Sequence, residues 1–191
     1  MKLYYAPRTR SQRALWMLEE LGVDYEKVAV SLREGEHRQP EFLTLNPAGK
    51  VPVLVHGEVT VFESSAICAY LADAFPDRGL APTPGAPDRG AYLSWMFWAG
   101  GQLEPSITAL VEAHRVVPQM AWGSPERVFG ALERTLDGRS FLLGEEFSAA
   151  DVVVGSQLVS LEKGDLLEGR TLLDYVNRLV ERPAYERSLD D

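Results

Sequence analysis

Apolar positions in the first 75 residues follow two periods in turn. Lys2-Leu3-Tyr4-Tyr5 reads as a strand and Ala6-Pro7-Arg8-Thr9 as a loop. Ala14, Leu15, Leu18 and Leu21 then fall three and four apart, as on one face of a helix, and Gly22 marks its end. Tyr25 to Val30 alternates as a second strand, and Pro40-Glu41-Phe42-Leu43 reads as a short helical turn after a polar stretch. Val53 to Val55 and Val59 to Phe62 flank His56-Gly57 as a hairpin. Ser64 to Ala74 is a helix ending before Pro76. The order is a βαβ unit followed by a ββα unit, complete in residues 1–76.

The pattern then changes. Residues 77–88 contain Gly79, Pro82, Pro84, Gly85 and Pro87 and read as a linker. Residues 89–191 show no convincing strand pair and read as an all-helical domain. Ala91 to Val117 predicts one long helix rich in aromatic residues and leucine. Ser124 to Leu136 predicts a second, with Pro125 at the first helical position. Phe147-Ser148-Ala149-Ala150-Asp151 has the form of a capping box, with Asp in the usual Glu/Gln place, and opens a buried helix through Val152, Val153, Val154 and Leu158. Leu172 to Val180 predicts a further helix, stopped at Arg182-Pro183.

Composition narrows the partners. Of 191 residues, 46% are apolar and 25% charged, an ordinary globular balance. The net charge of -9 argues against nucleic acid or an anionic membrane as the main partner. The charge is uneven: 8 Lys/Arg stand against 10 Asp/Glu in residues 1–76, and 11 against 18 thereafter. The first part is therefore relatively basic, which suits an anionic ligand. Cys68 is the single cysteine, so no intrachain disulfide forms and a cytoplasmic location is expected. The chain opens directly on its first strand, and no apolar run reaches the length of a membrane span. No metal site is expected, because His56 and His114 lack His, Cys or carboxylate neighbours at metal-ligand spacing.

Two segments carry candidate chemistry. In Asn46-Pro47-Ala48-Gly49-Lys50-Val51-Pro52, the proline keeps Val51 out of helix, so Val51 can offer its N–H and C=O to an extended peptide as an open strand edge does. In Phe62-Glu63-Ser64-Ser65, the serines stand where a helix leaves N–H groups unpaired, a socket for a carboxylate. A strand-like contact beside an anion socket suits a small anionic peptide. This pairing resembles the glutathione site of the glutathione transferase family, where the proline is cis. The capping motif and the terminal Arg182-Pro183-Ala184-Tyr185 also resemble that family's helical second domain.

The resemblance implies an α/β thioredoxin-like domain followed by an all-α domain. It implies glutathione as co-substrate, conjugation of its thiol to an apolar electrophile, and a homodimer in which the hairpin side and the helix after Glu63 meet the long helix of the partner. A lyase, isomerase or dehalogenase using the same thiolate is a variant of this reading. A non-enzymatic, glutathione-binding or stress-regulatory member is the alternative. A thiol–disulfide reductase would need a reactive cysteine.

By the same resemblance, Val51 and Pro52 clamp the peptide, Glu63 and Ser64 hold the γ-glutamyl end, and Lys50 and His37 face the glycyl carboxylate. The thiolate would lie at Arg8-Thr9-Arg10-Ser11, where a loop meets a helix N-terminus. Lowering a thiol from about 8.5 by about two units requires about 2.7 kcal/mol. The partial positive charge of the helix end, a hydroxyl and an arginine could supply it. Serine-type members place their donor nearest Thr9; cysteine-type members at Arg10, where this chain has no thiol; tyrosine-type members at Tyr5. Thr9 and Ser11 equally suit helix capping, and Tyr5 the core. Cys68 lies in an apolar helix and reads as inert. Trp95, Trp98 and Gln102 fall three to four apart on one predicted helix face. Core packing is the plain reading, and a pocket for the second substrate is the functional one.

Overall fold

The computed structural model describes residues 1–111 and 122–189. By internal contacts it divides into two compact units, Met1–Arg78 with Arg182–Asp191, and Gly79–Glu181.

In the first unit, β1 (Lys2–Tyr5) and β2 (Glu26–Ala29) pair parallel, while β1 with β3 (Val53–His56) and β3 with β4 (Val59–Phe62) pair antiparallel. The spatial order is β2-β1-β3-β4. Alternation sends Leu3 and Leu54, both fully buried, to one face of the sheet and Tyr4 and Val53 to the other. On the Tyr4 side lies α2 (Pro40–Leu45), whose Phe42 packs with Val30 and Val53 and meets Tyr4 edge-on. The other face carries α1 (Ser11–Leu21) and α3 (Ser64–Ala74), which pack on each other.

The buried side of α1 is wider than its Ala14, Leu15, Leu18, Leu21 stripe, and includes Arg13, Trp16 and Met17. The reason lies in a short helix that periodicity did not predict, α9 (Pro183–Arg187). Its Tyr185 meets Trp16 edge-on at 5.0 Å, and Arg182 grips the Glu20 carboxylate through two nitrogens at 2.6 and 2.7 Å.

The second unit is helical. The expected long helix from Ala91 is instead three segments: α4 (Arg89–Trp98), a π-helical turn (Ala99–Leu103) and α5 (Glu104–Val111). The predicted stretch 112–117 lies outside the described residues, as does His114. Gly100 and Gly101 give the helix the slack for one extra residue per turn, and Gln157 Nε2 donates to the Ala99 carbonyl at 3.2 Å. Next come α6 (Pro125–Leu136), α7 (Ala149–Glu162) and α8 (Arg170–Val180). The Ser148–Asp151 capping box forms at the start of α7. The buried Asp151 carboxylate also accepts from Leu142 N–H and Tyr175 O–H, at 2.9 and 2.8 Å, joining a loop, α7 and α8 at one acid. The architecture is a four-stranded thioredoxin-like α/β unit and an all-α unit.

Candidate functional site

Strand register brings the predicted binding segments to one end of the sheet. Tyr4 opposes Val53 and Val53 opposes Phe62, so the exit of β1, the entry of β3 and the exit of β4 lie side by side. Thr9 and Ser11 follow the first, Val51 and Pro52 precede the second, and Glu63 and Ser64 follow the third.

The Val51–Pro52 bond is cis. Pro52 is buried and Val51 half-buried. Among the described residues the Val51 main chain makes no hydrogen bond to protein. Asn46 shapes the preceding turn: its Nδ2 donates to Lys50 O at 2.8 Å and its Oδ1 accepts from Ala48 N–H at 3.0 Å. Gly49 has φ +60°, and a Cβ there would meet the His37 carbonyl at 3.0 Å. That close approach puts His37 beside Gly49 and Lys50. His37 Nδ1 is buried without a hydrogen-bond partner among the described residues, while Lys50 is exposed.

Glu63 has φ 70°, a left-handed conformation for a non-glycine residue, at the N-cap of α3. Ser64 follows as the first helical residue, only 6% exposed. Its Oγ accepts from Arg13 Nη1 at 3.0 Å. Arg13 is itself only 7% exposed. Nothing local in the sequence marks Arg13 as part of this end of the sheet. Its signal was of burial alone: a charged residue among Ala14, Leu15 and Leu18, close to their stripe.

The β1–α1 turn is a closed network of hydroxyls. Thr9 Oγ1 lies 2.7 Å from the Ala6 carbonyl and 2.9 Å from Ser11 Oγ, and it accepts from Ser11 N–H at 3.1 Å. Ser11 Oγ, fully buried, accepts from Ala6 N–H at 3.3 Å. Thr9 has one proton, and the shorter contact directs it to the Ala6 carbonyl. Arg8 supplies the second strained residue at this end of the sheet, with φ 58°. Arg10 is exposed, and Tyr5 is 9% exposed within the sheet core.

Cys68 is fully buried one turn beyond Ser64. Loss of water around it pushes its pKa up to about 12, against a smaller opposing pull from the Arg13 charge. It is not a nucleophile in the folded protein.

Within the helical unit, Trp98 and Gln102 line a hollow of about 490 Å³ with Trp122, Arg127, Ala131 and Arg134. Trp95 does not line it, although its ring meets that of Trp98 edge-on at 5.1 Å. The extra residue in the π turn shifts the phase of the helix between Trp98 and Gln102, so the three do not form one simple stripe. The walls carry two guanidinium groups and the Glu126 carboxylate as well as two indoles. Among the described residues no three His, Cys, Asp or Glu side chains form a metal-binding group.

Residues 1–73 match the family model of the glutathione S-transferase N-terminal domain. The chain is 34% identical over 163 residues to glutathione S-transferase F10 of Arabidopsis thaliana, covering 78% of this chain and 75% of that one. It is 30% identical to the disulfide-bond oxidoreductase YfcG of Escherichia coli, over 98% of this chain and 93% of that protein. A sphingomonad glutathione S-transferase solved with glutathione superposes with a TM-score of 0.83 at 31% identity, covering 100% and 98% of the two chains. With its cis proline and relatives of this similarity over most of their length, the chain belongs to the glutathione S-transferase family.

Proposed function

We propose that this protein is a glutathione transferase, in which residues 1–76 form the glutathione-binding domain. The observation that carries the reading is the Val51 main chain, unpaired within the described protein at the same sheet end as the α3 N-terminus. Val51 N–H and C=O pair with the cysteinyl unit of glutathione. Ser64, with the free N–H groups of α3, receives the α-carboxylate of the γ-glutamyl arm, and Glu63 accepts from its ammonium. Lys50 and the His37 ring face the glycyl carboxylate.

The sulfur then points to the start of α1. Thr9 turns its proton from the Ala6 carbonyl to the thiolate, and the helix end adds its partial positive charge. Arg10 adds a full one. Ser11 keeps the turn closed and Tyr5 anchors the strand beneath it. The thiol proton passes to solvent. The thiolate lone pair forms a carbon–sulfur bond to the electrophile, whose leaving group departs with its bonding electrons. The protein supplies ionisation and positioning. Trp98 and Gln102, with Trp95 supporting the Trp98 ring, receive the second substrate. The indoles and mixed charges of their hollow suit an aromatic electrophile with a polar end.

A titration of thiolate absorbance with and without protein tests this. Bound glutathione should ionise well below about 8.5, the ordinary thiol value. Binding with an unshifted thiol would instead support a glutathione-binding, stress-regulatory role. A second reading is favoured by the similarity to the Escherichia coli disulfide-bond oxidoreductase. With Cys68 buried, disulfide reduction would draw its electrons from glutathione: two glutathione thiols are oxidised to one disulfide as the substrate disulfide becomes two thiols. Comparing turnover of an aryl halide with that of a small disulfide separates the two.

The homodimer and the cytoplasmic, detoxifying role belong to the same proposal. Support for the dimer comes from exposed apolar groups where the family reading needs them: Phe97, 78% exposed, and Leu93 on α4, and Val59 and Phe62 on β4. Sedimentation of the wild type against Phe97→Glu tests it.

A further inference from the structure

We propose that Arg13 is a positioning residue that makes Ser64 an obligatory hydrogen-bond donor toward the α-carboxylate of the γ-glutamyl arm. This rests on the reading of Ser64 as the carboxylate socket. A serine hydroxyl has one proton and two lone pairs, and it normally rotates to suit its surroundings. A guanidinium has donors only. The bond from Arg13 Nη1 at 3.0 Å therefore fills a lone pair of Ser64 Oγ and leaves its proton for another acceptor. Among the described residues the protein supplies none. A buried hydroxyl without an acceptor is costly, and a ligand carboxylate would remove that cost.

The packing keeps this arrangement in register. Arg13 sits on α1 and Ser64 on α3, the two helices that pack together on one face of the sheet. One turn along α3, the Cys68 thiol donates to the Arg13 carbonyl at 3.6 Å, so the Arg13 backbone is tied to the same helix that carries Ser64. The guanidinium is only 7% exposed, which brings a cation into low dielectric at the positive end of the α3 dipole. An arriving carboxylate gains from both, whereas a neutral ligand gains from neither.

The test is calorimetry with two ligands, glutathione and its analogue γ-aminobutyryl-cysteinyl-glycine, which lacks only the α-carboxylate. Arg13→Met should weaken glutathione binding by about 10- to 100-fold, the loss expected for one hydrogen bond to a charged group. Binding of the analogue should change by less than about 2-fold. Ser64→Ala should give a similar selective loss, and Arg13→Met with Ser64→Ala should lose little more than either alone. Arg13→Lys, which keeps the charge and one donor, should lose less than Arg13→Met and remain selective for glutathione over the analogue. Equal loss for both ligands in the Lys and Met variants, or unchanged glutathione affinity in either, overturns the role of Arg13. If Arg13→Met does not fold, the selectivity of the Lys variant alone decides. Unchanged glutathione affinity in Ser64→Ala overturns the socket reading beneath it.

Discussion

Thr9→Val separates the structural job of one hydroxyl from the donor role proposed for it. In the free protein the Thr9 hydroxyl donates to the Ala6 carbonyl at 2.7 Å and accepts from Ser11 N–H at 3.1 Å. Removing it leaves a helix-end N–H and a carbonyl without their partner, at a cost of about 1–2 kcal/mol in stability. In the proposed glutathione complex the same proton turns to the sulfur. A hydrogen bond to a charged group contributes about 1.5–3 kcal/mol, and giving up the Ala6 bond takes back about 1. The remainder of about 0.5–2 kcal/mol corresponds to about 0.4–1.5 pKa units. The bound thiol of Thr9→Val should therefore titrate higher by that amount. Its conjugation rate should fall about 2- to 30-fold below the thiol pKa, and approach the wild-type rate above it. Thiolate absorbance and a pH–rate profile read these changes, with urea unfolding as the measure of the capping loss. Thr9→Ser should restore both. A lowered stability with an unmoved thiol pKa would refute the donor role and leave Thr9 a cap alone.

Other perturbations bear on separate parts of the protein. Cys68, pushed up to about 12 by burial, should resist an aromatic disulfide reagent at pH 8 and react fully on unfolding in urea; rapid labelling of the native protein would contradict the packing. Asp151→Ala strands the Leu142 and Ser148 N–H groups and the Tyr175 hydroxyl, all buried, and should cost about 3–5 kcal/mol by urea unfolding; a loss under about 1 kcal/mol would show that these groups find other partners. Burial raises the Asp151 pKa against the pull of its donors, so its protonated form is favoured by folding. That contribution is full below the ordinary value near 4 and is lost as pH rises through the raised one, so the gap between wild type and Asp151→Ala should narrow as pH rises from about 4. Glu63→Gly and Glu63→Ala should both weaken glutathione binding, but at φ 70° only alanine keeps the backbone strain, so the glycine variant should be the more stable by about 1 kcal/mol; equal stabilities in thermal unfolding would show that Glu63 carries no strain.

Most of the first unit could be read from sequence because its signals are local. Ser64–Ala74 forms with the predicted limits, and the hairpin needs only His56 added to its first strand. Glu26–Ala29 is shorter than its predicted span because it is an edge strand, paired with β1 on one side alone. The misses come from long-range packing. The aromatic helix breaks at Gly100-Gly101 around a carbonyl held by Gln157, 58 residues later. The helix at Pro183–Arg187 exists because Trp16 and Glu20, far away in sequence, accept it. Arg13 escaped notice for the same reason: nothing beside it in the chain indicates a buried partner 51 residues on. Register explains why Val51 and Glu63-Ser64 lie at the same end of the sheet, since a two-residue hairpin turn fixes which strand ends meet.

The proposed site is built largely from main chain, which leaves the choice of donor side chain open to variation. Val51 needs only an extended backbone, and the starts of α1 and α3 need only unsatisfied N–H groups; many side chains permit both. What the backbone does need is two turns bent to positive φ, at Arg8 and Glu63, and both residues have a Cβ. Glycine would adopt either conformation without penalty. A charged residue at each position therefore carries about 1–2 kcal/mol of strain that its own fold does not require. In the proposed complex the Glu63 side chain is the acceptor for the ligand ammonium, and binding offsets the strain. At Arg8 the same reasoning places a cation at the rim of the thiolate end, where it adds to the field of α1. In the proposed reaction the reactive group itself belongs to glutathione. The protein has only to hold a sulfur at a point where an anion is favoured, and a threonine already engaged as a helix cap suffices if the field around it supplies the rest.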